Sequence, residues 1–168
     1  MKYYVKWIIA IIFVSSFTSY IPKGVSTTGL SVGDKAPDFL IEAAQSTADR
    51  PMELSDLRGK YVLLSFWATY DAPSRARNAG LNFITNDLPT ALEVVSVSFD
   101  DYRSIFNETV RNDRLTAHAC YLDTAGTHSS LYKTYRLNRG FGNYLLDADG
   151  IIVAKNVSSD ELKTLIGG

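Results

Sequence analysis

Sulfur chemistry in this chain rests on one residue, because Cys120 is the only cysteine among 168 residues and no internal disulfide can form in any redox compartment. A lone thiol reacts as its thiolate, which needs a helix N-terminus or a basic neighbour to lower its pKa. The stretch Ala119-Cys120-Tyr121-Leu122 offers neither and suits a buried cysteine acting as a small hydrophobe. A reactive role for Cys120, through mixed disulfides, is the alternative. His118 and Cys120 share a strand face at spacing two and His128 follows, but this spacing matches no zinc pattern, and both imidazoles suit surface or loop positions. Asp71 and Ser74 stand at the start of a helical stretch, in Asp71-Ala72-Pro73-Ser74. A serine nucleophile needs an activating base, and no histidine lies near Ser74 in sequence. The Asp71 carboxylate can accept hydrogen bonds from the free amides of the helix start, where Pro73 has no amide to leave unpaired. A general-base role or a ligand contact is the alternative for Asp71. Arg75 and Arg77, just beyond, either engage an acidic ligand or form a solvated helix face. No metal and no cofactor is called for by these patterns.

The elements that must position these groups alternate. Tyr61-Val62-Leu63-Leu64-Ser65-Phe66-Trp67 is a near-continuous apolar run, as expected of a strand covered on both faces. A helical stretch runs from Pro73 to about Asp87, interrupted by Gly80, and Leu92 to Phe99 forms a second central strand. Asp100 or Asp101 is placed to cap the next helix, in which Tyr102, Ile105, Phe106 and Val110 recur at helical spacing, with Leu115 as a further candidate at its end. Ala119 to Leu122 is a short strand, and Leu131, Tyr132 and Tyr135 fall on another helix. Asn143 to Leu146 and Ile151 to Ala154 flank Asp147-Ala148-Asp149-Gly150, a hairpin signal in which glycine supplies a positive φ. Ser158 or Ser159 caps a last helix through Leu162, Leu165 and Ile166. Strands alternating with helices and closing in a hairpin plus helix predict an α/β fold, a central mixed sheet with helices on both faces. No repeat or second domain is evident.

Bulk properties narrow the partners. Lys+Arg 17 against Asp+Glu 18 gives a formal charge of −1, which offers no basic surplus for nucleic acid and no acidic tail. A hydrophobic fraction of 46% and a charged fraction of 21% are those of an ordinary globular domain. At the N-terminus Lys2 and Lys6 precede the apolar run Trp7 to Val14, followed by Ser15, Ser16, Phe17, Thr18 and Ser19. A cationic stretch, a short apolar run and then small residues read residues 1–20 as a signal peptide or an N-terminal membrane anchor. Residues 21–30 read as a linker and 31–168 as the domain. The expectation is export to the periplasm or another extracytoplasmic space, with a membrane tether through residues 1–20 as the variant of it.

Several stretches taken together resemble the thioredoxin superfamily, and specifically the exported TlpA/ResA-type thiol-disulfide oxidoreductases and their AhpC/TSA (peroxiredoxin-like) cousins. They are Val32 to Phe39, Leu54-Ser55-Asp56-Leu57-Arg58-Gly59-Lys60, Leu63-Leu64-Ser65-Phe66-Trp67-Ala68-Thr69, and Tyr144 to Val153, in the order the family has them. The resemblance implies a thioredoxin-like fold from about residue 30 onward. It departs from the family where the redox chemistry belongs. The family's Trp-Ala-Thr-Trp precedes Cys-x-x-Cys; here Trp67-Ala68-Thr69-Tyr70 precedes Asp71-Ala72-Pro73-Ser74, with Asp71 and Ser74 at the cysteine positions. A peroxiredoxin's reactive cysteine is missing from the same loop. The family's cis-proline, counted back from Asp147, falls on Phe141 within Arg139-Gly140-Phe141-Gly142-Asn143.

The replacement has a physical logic. The motif thiol is acidic because the helix N-terminus favours an anion, and a carboxylate is an anion there already. Asp71 keeps that electrostatic character and removes the nucleophile, since oxygen cannot form or break a disulfide. Two readings of Phe141 stand side by side. Its flanking glycines expose the ring as an apolar contact, with Trp67, Tyr70, Asp71 and Pro73, for an extended peptide or protein partner; or the ring fills the gap left by proline and closes the groove. The function expected is a redox-inactive, binding relative of the oxidoreductases, with a redox protein acting through Cys120 as the alternative.

Overall fold

A computed structural model of the chain describes residues 26–42, 51–85, 92–115 and 119–166. The signal or anchor segment 1–20 and His118 lie outside the described residues. Among those residues no helix is long and apolar enough to cross a membrane.

The elements are β1 (Leu40–Ile41), β2 (Met52–Glu53), β3 (Tyr61–Trp67), α1 (Ala72–Thr85), β4 (Leu92–Ser98), α2 (Arg103–Asn112), β5 (Ala119–Leu122), α3 (Ser130–Thr134), β6 (Asn143–Leu146), β7 (Ile152–Lys155) and α4 (Ser159–Ile166), with single 3-10 turns at Leu54–Leu57, Gly126–His128 and Leu137–Arg139. The main sheet has the order β5-β4-β3-β6-β7. β3 runs parallel to β4 and antiparallel to β6, so the sheet is mixed, as expected. The central strand is β3, and all of it but Tyr61 is buried, which is why its sequence is apolar without alternation.

Residue parity along β3 divides the core in two. Val62, Leu64 and Phe66 face Val95, Val97, Phe99, Leu131, Tyr135 and Leu146 on one side of the sheet. On the other side Leu63 packs with Leu81 of α1 and Leu162 of α4, while Trp67 packs with Phe106 of α2, Cys120 and Leu122. The sheet is thereby covered on both faces.

The hairpin forms as its residues require. The Asp147 carboxylate accepts from the amides of Asp149 and Ile151, both at 2.9 Å, and Gly150 has φ 79°. Ser158 and Glu161 form a reciprocal cap on α4, with the Ser158 amide donating to Glu161 at 2.8 Å and the Glu161 amide to Ser158 at 3.3 Å. Two local expectations are corrected. α1 continues through Gly80 to Thr85. The residue that precedes α2 is Tyr102, with no side-chain cap, because Asp100 is drawn inward to bind another loop and Asp101 stands one position too early. Residues 26–30, within the segment read as a linker, are bonded to the domain: the Gly29 amide donates to the Lys35 carbonyl at 3.0 Å and the Thr27 hydroxyl to Asp34 at 2.6 Å. Just beyond, Gly33 and Ala36 donate to Ile152 and Gly150 at 2.9 and 3.0 Å, so this strap covers the start of β7, an edge strand.

Candidate functional site

The loop Ala68-Thr69-Tyr70-Asp71 leaves the C-terminal end of β3 and turns into α1. Asp71 caps that helix. Its carboxylate accepts from the Ser74 amide at 2.8 Å while its carbonyl accepts the first helical bond, from Arg75, at 3.0 Å. A cap of this kind contributes about 1 kcal/mol. Pro73 is exposed in the first turn, where its missing amide leaves nothing unpaired. Ser74 is buried, at 2% exposure; its hydroxyl donates to the Asp71 carbonyl at 3.1 Å and lies 3.4 Å from the Ala68 amide as acceptor. Ser74 therefore locks the loop to the helix, and its oxygen does not face solvent as a nucleophile must.

Asp100, the residue that sequence reasoning placed at a helix cap, is the second anchor of this loop. Buried just past β4, it accepts from the Thr69 amide at 3.0 Å, the Thr69 hydroxyl at 2.6 Å and the Ser98 hydroxyl at 2.5 Å. Charge-assisted bonds of this number hold a buried carboxylate in place. Nothing in local sequence announces it, since Thr69, on the loop it anchors, lies 31 residues away.

The loop around Phe141 meets α1 from the other side. Arg77 reaches across and donates to the Phe141 carbonyl at 3.0 Å. Arg75 instead forms a two-pronged pair with Asp113 beyond α2, at 2.6 and 2.7 Å. Of the two arginines read as an anion contact or a solvated face, both are engaged within the protein, and Arg77 is the one that touches the site. Phe141 itself is half-buried. Its ring stacks on Phe99 at 6.1 Å and meets Tyr132 and Tyr70 edge-on at 6.2 and 6.3 Å. Neither expectation describes it fully: one face of the ring fills space against the core, and the other end of the cluster, Tyr70, remains 65% exposed. Burial first, then Tyr132, Asp100, Asp101 and Asp71, push the Tyr70 phenol above its ordinary value, so it is a neutral hydrogen-bonding group at physiological pH.

Trp67 is a correction. Expected in the groove, it is fully buried at 0% exposure, because its position on β3 points the indole beneath α1 against Phe106. The site surface thus comprises Tyr70, Asp71, Pro73 and Phe141 without Trp67. Cys120 lies in the same buried cluster as Trp67. Its thiol is 0% exposed, and burial pushes its pKa up to about 12 against a smaller opposing effect from Ser96. His128 is exposed in its turn. Among the described residues no group of three or more His, Cys, Asp or Glu is arranged to hold a metal ion. Chemically, the loop presents a capped carboxylate, a phenol and an aromatic array, with no sulfur.

Comparison with known proteins places this geometry. Residues 32–155 match the model of the AhpC/TSA family. Over 104 residues the chain is 33% identical to the thiol-disulfide oxidoreductase ResA of Oceanobacillus iheyensis, covering 61% of this chain and 54% of that protein. It is 28% identical over 99 residues to the thioredoxin-like protein YneN of Bacillus subtilis, 56% of each. The chain therefore spans about half the length of these curated relatives. Among solved structures it is similar to a thioredoxin-like protein from Parabacteroides distasonis, with TM-score 0.71 and 35% identity over 83% of this chain and 97% of that one. The thioredoxin domain of a thiol-disulfide oxidoreductase from Bacteroides vulgatus shares the fold, with TM-score 0.72 at 22% identity over the same shares.

Proposed function

Since the chain belongs to the AhpC/TSA family and has a thioredoxin-like fold, we propose that it is a member without dithiol chemistry, which uses the surface at the front of α1 to bind an extended peptide or protein partner. The observation that carries this reading is the identity of the helix cap: where the family's chemistry needs sulfur, Asp71 spends its carboxylate on the Ser74 amide. The exposed Tyr70 beside Phe141 supplies apolar and aromatic area for a partner. Export, or a tether through residues 1–20, follows from Lys2, Lys6 and the apolar run after them, and puts the partner outside the cytoplasm. The burial of Cys120 supports binding over a one-cysteine redox mechanism.

Insulin disulfide reduction with dithiothreitol tests the first half. The expected outcome is that the wild type leaves the rate at the background level while D71C/S74C raises it. Wild-type activity equal to that of D71C/S74C overturns the reading, and loss of that activity in Cys120→Ala would assign it to the lone thiol. Anisotropy titration with labelled extended peptides tests the second half, with Tyr70→Ala and Phe141→Ala expected to weaken every peptide that binds.

A further inference from the structure

On the far side of the Phe141 loop lies a cleft of about 630 Å³, open to solvent, between the strap, the end of α3 and β7. Three cations line it: Arg136, Arg139 and Lys155. Their side chains reach it from different elements, and among the described residues none of the three forms an ion pair with a carboxylate. Lys155 rests its ammonium over the Tyr144 ring at 5.4 Å. One carboxylate, Asp34, lines the same cleft, and its oxygens already accept from the Thr27 hydroxyl at 2.6 Å and the Ser31 amide at 2.8 Å. Three positive charges that face one cleft against a single carboxylate leave a net positive charge there, and an anion placed among them relieves their mutual repulsion.

Backbone geometry adds to the charge. Arg136 and Asn156, both lining the cleft, have φ 53°, in the left-handed region that non-glycine residues occupy at a cost. The cleft shares the Phe141 loop with the site already described, because Gly140, Phe141 and Gly142 form part of its wall.

We infer that this cleft receives the carboxylates of an acidic segment of the partner, which runs from the Tyr70–Phe141 surface across the loop to Arg139 and Lys155. The inference rests on the peptide-binding reading and adds the partner's chemistry to it. Guanidinium groups pair with carboxylates in two-pronged fashion, and the cleft has room for side chains of a short extended segment. Nucleic acid fits poorly, since the three cations are local and the chain's formal charge is −1.

The test uses the full chain and three labelled decapeptides that differ only in carrying Glu, Ala or Lys at alternate positions. The wild type should bind the Glu peptide about tenfold more tightly than the Ala peptide. That preference should shrink severalfold between about 0.05 M and about 0.5 M salt. It should vanish in R139Q/K155Q, whose exposed side chains can change without disturbing the fold, with binding of the Ala peptide unaltered. Equal binding of Glu and Ala peptides, or preference for Lys, overturns the inference and leaves peptide binding intact. A second measurement reads the cleft without a peptide: citrate should raise the melting temperature of the wild type and not that of R139Q/K155Q. If no peptide binds but citrate stabilises in this pattern, carboxylate recognition by the cleft holds and the peptide-binding reading fails. If neither happens, both fail.

Discussion

Cys120 carries a measurable consequence of its burial. With its pKa pushed up from 9.0 to about 12 by loss of solvent, the thiol stays protonated in the folded chain at pH values where the unfolded chain has ionised. Between about pH 9 and about pH 12 the unfolded state therefore binds fewer protons than the folded one, and stability falls as pH rises. The slope from this one group approaches about 1.4 kcal/mol per pH unit once the unfolded thiol is fully ionised. Urea unfolding at intervals from pH 8 to about pH 10 should show the decline in the wild type and a flatter profile in Cys120→Ala. An identical slope in both would mean that the thiol reaches water. The same burial makes alkylation slow in the native state and fast after denaturation. At this scale the sequence was informative about Asp71 and Cys120, whose roles follow from a helix start and an apolar strand. It was silent on Asp100 and Phe141, because Thr69 for the one and Phe99 and Tyr132 for the other decide their burial, and none of those contacts is local.

Among the elements, β6 depends on a polar side chain. Asn143 is fully buried, donates to the Val157 carbonyl at 3.0 Å and accepts from the Val157 amide at 2.8 Å, which ties the strand to the turn leading into α4. Asn143→Leu strips both partners and leaves two buried backbone groups unsatisfied. Its expected cost is about 2–4 kcal/mol by denaturant unfolding, and a cost under about 1 kcal/mol would show that water replaces the amide. β3, β4 and the Asp147–Gly150 hairpin were legible because buried strands and turns leave their mark in local composition. The start of α2 was not, since Asp100 is pulled out of capping position by a bond to a distant loop. Trp67 was misread for a related reason: an aromatic at the end of a strand next to a loop can point to either face, and register within the sheet decides which.

For the molecule as a whole, the sheet has β7 at one edge, and the strap at residues 26–36 covers the beginning of that edge. The strap contributes three backbone bonds there, from Gly33 and Ala36 to the β7 side and from Ile152 back to Asp34 at 2.9 Å. At about 1 kcal/mol each, a chain shortened to begin at Pro37 should lose about 3 kcal/mol. It should also self-associate, because an uncovered edge pairs readily with another. Sedimentation of the shortened chain checks this, and a monomer of unchanged stability would remove the strap from the folding unit. The strap also forms one wall of the cationic cleft, so its loss should weaken the preference for acidic peptides.

The indole of Trp67, sealed between Phe106 and the sheet, gives the protein an optical signal of its own. The chain's other tryptophan is Trp7, so in a form that starts after residue 20 excitation selective for indole reports on Trp67 alone. Its native emission should be blue-shifted and inaccessible to iodide, and it should move to the red only when the sheet and α2 part. Partner binding at Tyr70 should leave that colour unchanged, which separates docking from unfolding in one cuvette.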